Sequence, residues 1–428
     1  MNSTNKTSFI KNVITLITGS VLAQIISLIS LVLLQRFFYG PEDFAPFRLF
    51  FEYIAIFVGI SALRLDSAIV LEKEEKNAQA LVSICIKLIF LTSLLSLIFF
   101  LIYSNFSNTF NELSNDIRII ILIPLTIITL GSLQVFNSWF TRLESFKLMS
   151  VNKVFQNTVN SASQLILGFL NFNFIGLIIG RFLGVFSANL NYLRHYIKKP
   201  KVEPLKTEGQ KLLIKKHKAF IFYTTPGFFI GNLINFIFLA LFIAYYGKHF
   251  GGQIAASIQY LGISIAIISS SFSQVYFREI TKINTKKELK QTYTYWFLRL
   301  GLISVLGVIS LQFIPDSFIV FFLGAKWSGL IGIMQVMGIW MAVMFISSSL
   351  SYIYIKLGRQ KQTLILDVIH LLMVIIGMQW VHSSYESPMT TLWSFTIIQL
   401  LFYVIAIFAA YYFISKHKDE IEDQKIIN

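Results

Sequence analysis

The stretch Leu88 to Ile102, LIFLTSLLSLIFFLI, contains only apolar and hydroxylic side chains. A strand of a membrane β-barrel alternates apolar with polar residues, so this composition excludes a closed barrel. A helix satisfies its backbone within itself and tolerates such a run in lipid. The run extends over about 81–103, long enough to cross roughly 30 Å of hydrocarbon. Similar runs recur at about 13–34, 44–63, 117–138, 154–171, 174–193, 219–246, 253–276, 293–313, 329–355, 363–382 and 389–414. They predict an all-α polytopic membrane protein with about twelve transmembrane helices. The whole chain agrees: 55% of residues are hydrophobic, 13% are charged and mean hydropathy is +0.68, outside the range of soluble domains.

The first run is longer than a signal-peptide core and leads into a charged turn, so it reads as a retained span. The single cysteine, Cys85, supports neither a disulfide framework nor a cysteine metal site. The histidines (His195, His217, His249, His370, His382 and His417) show no metal-ligand spacing. There is no Walker loop, dinucleotide fingerprint or nucleophile elbow, and no loop is large enough for a catalytic domain. The expectation is therefore a protein that is not an enzyme and uses no cofactor or metal. The formal charge of +15 first points to nucleic acid, but the excess lies in short loops beside the spans. With a cytoplasmic N-terminus, roughly 28 of the 36 Lys and Arg fall on the cytoplasmic side and about 5 outside, as the positive-inside rule expects. Both termini are then cytoplasmic, and nucleic acid is not a partner.

The longest hydrophilic interval, 194–218, carries nine Lys and Arg with Pro200 and Pro204 and divides the spans six and six. An offset of 207 residues pairs Lys11 with Lys218, Thr18 with Thr225, and Tyr39-Gly40 with Tyr246-Gly247. These features predict an N-terminal lobe over 1–207 and a C-terminal lobe over 208–428. The two would form a parallel repeat with the substrate site between them near mid-membrane.

A Lys or Arg at a helix centre disfavours insertion by about 2.5 to 3.5 kcal/mol, so each should face a cavity or a partner. Arg181 stands mid-span beside a ridge of Gly176, Gly180, Gly184 and Ala188, whose spacing of four fits close helix packing. Lys87 and Arg299 lie about two turns from the cytoplasmic end of their spans, where they line a cavity or snorkel to the headgroups. Arg48 and Glu52 are spaced to pair with each other. Asp367 and His370 are the titratable candidates for ion coupling. Pro226-Gly227, followed by Asn232 and Asn235, interrupts the seventh span, a device transporters place beside substrate sites.

Several segments resemble bacterial polysaccharide-repeat flippases of the Wzx type, in the superfamily of multidrug, oligosaccharidyl-lipid and polysaccharide (MOP) exporters. They are Tyr39-Gly40-Pro41-Glu42-Asp43-Phe44, Leu63-Arg64-Leu65-Asp66-Ser67-Ala68-Ile69-Val70-Leu71, and Ser138-Trp139-Phe140-Thr141-Arg142 with Phe146-Lys147. Further along come Ser273-Gln274-Val275-Tyr276, then Gly324-Ala325-Lys326-Trp327 leading to Ser348-Ser349-Leu350-Ser351-Tyr352. Ala45-Pro46 departs from the family pattern. The resemblance implies two six-helix bundles around a V-shaped cavity that alternates between faces. It implies a substrate that is a lipid-linked oligosaccharide, carried on undecaprenyl diphosphate from the cytoplasmic to the outer leaflet of the inner membrane. Arg64, Asp66 and Arg142 match its motif positions near the cytoplasmic mouth. Its implied partners are membrane lipids and the polymerase and glycosyltransferases of the same pathway. The alternative function on the same fold is a cation-coupled exporter of small amphiphiles.

Overall fold

A computed structural model describes residues 3–106, 113–198, 205–281, 283–384 and 386–417, with side chains from residue 18 onward apart from residue 360 and several positions between 266 and 278. Pro200 and Pro204 lie outside the described residues. Helices account for nearly all of the described chain, which contains no strand. They are α1 Ser3–Phe37, α2 Pro41–Ser61, α3 Asp66–Leu71, α4 Glu75–Ser104, α5 Ile117–Arg142, α6 Phe146–Phe169, α7 Asn173–Ile197 and α8 Thr207–Lys216. A π-helical turn Phe220–Thr224 precedes α9 Thr225–Ile280, and then come α10 Lys286–Gln312, α11 Asp316–Leu323, α12 Leu330–Leu350, α13 Tyr352–Lys356, α14 Gln360–Ser384 and α15 Pro388–Ser415.

Ten of the described helical segments are long and apolar enough to cross a membrane. The difference from the twelve expected spans has two causes. The seventh and eighth expected spans run into one another as α9, interrupted only at Gly247 (φ 81°, ψ 173°). That left-handed φ is open to glycine at no steric cost. Gly40, its counterpart at the 207-residue offset, ends the junction between α1 and α2 and caps α2. Both members of the Tyr-Gly pair therefore stand at a break between two helical stretches. The other cause is α6, whose 24 residues are long enough to cross but rich in Asn, Gln and Ser.

Start signals are local. The Gly40 N–H donates to the Asp43 carboxylate at 3.1 Å, Pro41 opens α2, and the helix runs on through Pro46. Asp116 accepts from the Arg118 N–H at 2.9 Å and starts α5. Acidic groups at these N-termini also oppose the positive end of the helix dipole.

The chain forms two compact units, 1–252 and 253–428. In the first, α6 packs against both α1 and α7, and α4 against α5. The glycine ridge of α7 is the contact surface. A Cβ on Gly180 would stand 2.8 Å from the Gln164 backbone nitrogen, and one on Gly184 would stand 2.7 Å from the Gln156 carbonyl oxygen. Gly180→Ala and Gly184→Ala should therefore each destabilise the unit by about 1–3 kcal/mol through overpacking. Thermal unfolding in detergent checks this, and unchanged melting temperatures for both variants would contradict the close packing. In the second unit, α12 packs against α10 and α15, and α14 packs on α15.

Candidate functional site

In the first unit, the i, i+4 spacing on α2 brings Arg48 and Glu52 together, with an N–O distance of 2.6 Å and the carboxylate buried. Arg181 on α7 faces the same surface and lies over the Phe51 ring, 4.1 Å from its centroid. Arg48 and Glu52 are the charged groups that act on it electrostatically. Arg48 pairs with the carboxylate, and Arg181 beside the pair leaves the cluster one net positive charge inside two membrane-spanning helices. A ring face stabilises such a cation without neutralising it. Arg donors in this setting suit an oxyanion such as phosphate, which they can engage in bidentate fashion.

A second constellation surrounds the segment between α2 and α4. Leu63 and Arg64 both adopt left-handed backbone conformations (φ 50° and 56°) at the corner into α3, at a cost of about 1–3 kcal/mol each. The corner sets the Arg64 guanidinium 4.0 Å from the Phe228 ring centroid and 3.9 Å from Asp66. Burial pushes the Asp66 carboxyl above its ordinary range, against the opposing pull of Arg64. Arg142 donates to the carbonyls of Glu72 and Lys73 at 3.0 and 3.1 Å, pinning that loop to the end of α5.

The same loop holds residues that sequence reasoning missed. The buried Glu72 carboxylate receives Lys216 Nζ at 2.6 Å and lies 2.5 Å from the His217 ring. Leu213 of α8 is buried in the apolar cluster formed by α3, α4 and α5. Burial pushes the Glu72 carboxyl up, but the hydrogen bonds and charges of Lys216 and His217 outweigh it and hold the group below the usual carboxylate range. The hydrophilic interval 194–218 is therefore anchored at its second half. The signal lay in Leu212-Leu213-Ile214, an apolar triplet within a basic stretch.

The remaining expected residues belong to neither of these two constellations, with the exception of the Asn232 neighbourhood of α2. Lys87 is exposed on α4, on the same outward face as Phe90, Leu91 and Leu94, which fits snorkelling. Pro226 and Gly227 stand in the first turn of α9, directly after the π-helical turn, rather than in mid-helix. Asn232 donates to the Phe228 carbonyl at 2.9 Å and faces Gly59 of α2, while Asn235 is exposed. In the second unit, Arg299 is exposed and stacks on Tyr295 at 4.0 Å. Asp367 and His370 do not pair with each other in the described structure: His370 is buried and stacks on Phe402 at 3.8 Å.

Residues of the sequence motifs serve largely as structural fixings. Trp139 and Trp327 are fully buried, and the Asp316 carboxylate accepts from the Ser328 hydroxyl at 2.7 Å and the Gly329 N–H at 2.8 Å. No group of three or more His, Cys, Asp or Glu among the described residues is placed to hold a metal ion.

Residues 9–206 match a family model described as polysaccharide biosynthesis protein. No curated protein matches the chain. Among solved structures, an inward-facing multidrug-resistance MATE transporter of the MOP superfamily is similar at 14% identity and a TM-score of 0.66, covering 94% of this chain and 95% of that one. An outward-facing multidrug-resistance MATE structure gives 13% identity and a TM-score of 0.64, covering 95% and 96%. A MOP transporter from Pyrococcus furiosus, whose binding pocket is described as reversed in polarity, gives 13% and 0.65, covering 95% and 97%. At these identities the likeness establishes the fold: two lobes of helices, as in this superfamily.

Proposed function

The family match over 9–206 and the shared fold support a Wzx-like MOP exporter family for this multi-pass membrane transporter, and from that premise we propose that it flips a lipid-linked oligosaccharide from the cytoplasmic to the outer leaflet for surface polysaccharide synthesis. The observation that carries this reading is the net positive cluster of Arg48, Glu52 and Arg181 between α2 and α7. A diphosphate cannot enter hydrocarbon bare, and guanidiniums held on an aromatic face replace its water. The product feeds a surface glycan such as O-antigen or capsule in the bacterial inner membrane. The termini and the 194–218 interval lie in the cytoplasm, as the charge asymmetry requires. Switching between faces uses the π-helical turn with Pro226 and Gly227, a departure from α-helical geometry followed by a residue that has no backbone N–H to donate.

The test is a deletion strain. Loss of the protein should abolish surface glycan and leave the lipid-linked repeat in the inner leaflet, where it resists an impermeant oxidant in intact cells and reacts once the cells are opened. Repeat units that remain oxidisable in intact deletion cells would refute the flippase reading.

A second reading, export of small amphiphiles coupled to a cation, draws on Asp367, which no described basic group pairs with. It requires a carboxylate to take up the coupling ion. A raised drug susceptibility in the same strain with intact glycan would favour it.

A further inference from the structure

The short helix α8 has two unlike faces. Leu213 is buried in the cluster of α3, α4 and α5, and one turn on, on the same face, His217 is buried against Glu72. The opposite face carries Lys211, Leu212, Lys215 and Lys216, all exposed and related by the three- and four-residue spacings of a helix surface. Leu212 is 68% exposed although it stands among lysines. Lys206 just before the helix and Lys218 just after it are exposed as well, and Glu208 is the only acidic residue between 205 and 219. Lys216 is committed to Glu72, whereas Lys206, Lys211, Lys215 and Lys218 have no carboxylate within 4.0 Å among the described residues.

Chain continuity fixes where this face stands. The membrane-crossing stretch that contains α9 begins at Phe220, four residues after α8 ends at Lys216, a separation of about 6 Å at the helical rise. Phe222 and Tyr223, both exposed, open that stretch at the depth where aromatic rings meet headgroups. The last turn of α8 therefore lies within a Debye length of the lipid surface, about 8 Å at physiological ionic strength. We propose that the outer face of α8 binds anionic phospholipid headgroups of the cytoplasmic leaflet, with Lys211, Lys215 and Lys218 on the phosphates and Leu212 among the glycerol and upper acyl groups. Charge complementarity selects this occupant. A zwitterionic headgroup brings its own ammonium and gives the lysines no net attraction, whereas an anionic one attracts each of them. A soluble polyanion would leave Leu212 in water, while a basic helix with a bulky apolar residue on its free face suits a lipid interface. The helix is then held on both sides, by Glu72 within the protein and by lipid outside it, directly before the π-helical turn. The surface follows from charge and chain continuity and stands whether or not the flippase reading does.

The experiment follows trypsin cleavage after Lys211 in the full chain, reconstituted in vesicles of phosphatidylcholine with or without about 30% phosphatidylglycerol. The anionic lipid should slow this cut about tenfold, and about 0.5 M salt should remove most of the protection. The double variant Lys215→Gln/Lys218→Gln keeps both the scissile bond and the Glu72 anchor. It should be cut at the wild-type rate in phosphatidylcholine, which shows that α8 is still seated, and should gain less than twofold protection from phosphatidylglycerol. Equal cleavage of the wild type in the two kinds of vesicle, as expected if the face instead meets a soluble acidic partner, would overturn the proposal. So would protection that persists in the double variant, or faster cutting of that variant in phosphatidylcholine, which would assign these lysines to contacts within the protein.

Discussion

Arg181→Gln is expected to reduce surface polysaccharide at least about tenfold at unchanged protein abundance, a loss equivalent to roughly 1.4 kcal/mol. Arg48 and Glu52 largely satisfy each other, so the charge available to a ligand is the one that Arg181 holds against Phe51. Glutamine keeps hydrogen-bonding capacity and removes that charge. Arg181→Lys should restore part of the activity if point charge suffices, and little if the planar stack and paired donors matter. Lys87→Gln is expected to change nothing beyond twofold, because Lys87 stands among outward-facing apolar residues. Immunoblotting alongside glycan staining checks all three. Full glycan display in the Arg181→Gln strain would remove the cluster from the transport path.

Glu72→Gln is expected to loosen the anchored half of the 194–218 interval. The change removes the negative charge from the buried contact with His217 and leaves only a neutral acceptor, which costs about 1–3 kcal/mol. Lys216 adds little, since its side chain is 59% exposed. The variant should melt earlier in detergent and be cut faster by trypsin at Lys211 and Lys215. The pH dependence follows from the lowered carboxyl pKa of Glu72. Its stabilisation is fully present above the unfolded value, about 4.3, and is lost only as pH falls through the lower folded value. The difference in melting temperature between wild type and variant should be flat from pH 8 to 5 and narrow below about pH 4. Equal trypsin sensitivity at pH 7 would show that Glu72 does not hold the segment.

The sequence made the class and most of the helices legible because apolar runs such as Leu88 to Ile102 report directly on burial in lipid. Local pairs were legible too: Arg48 and Glu52 are one helical turn apart, and that spacing alone brings them together. What escaped was contact across long separations. Glu72 lies in a charged run that reads as solvated, and its partners are 144 and 145 residues away. Asp367 and His370 had spacing suited to a pair, but the Phe402 ring takes the imidazole face instead. Neighbouring elements decided both cases, and single-chain periodicity carries no information about them.

The polar composition of α6 has a consequence for how the protein is made. Its Asn157 accepts from Ser27, its Gln164 donates to the Leu177 carbonyl, its Asn152 donates to the Ala188 carbonyl, and its Asn152 oxygen receives Asn191. A helix whose polar groups depend on neighbours before and after it has little reason to leave the translocon alone. Three of these four contacts are with α7, which follows after a turn of three residues. α6 therefore has to wait at the translocon until α7 has been synthesised, and the two enter the bilayer as a hairpin docked on α1. A chain arrested after residue 170 would hold α6 at the aqueous edge of the membrane, exposed to quality-control proteases.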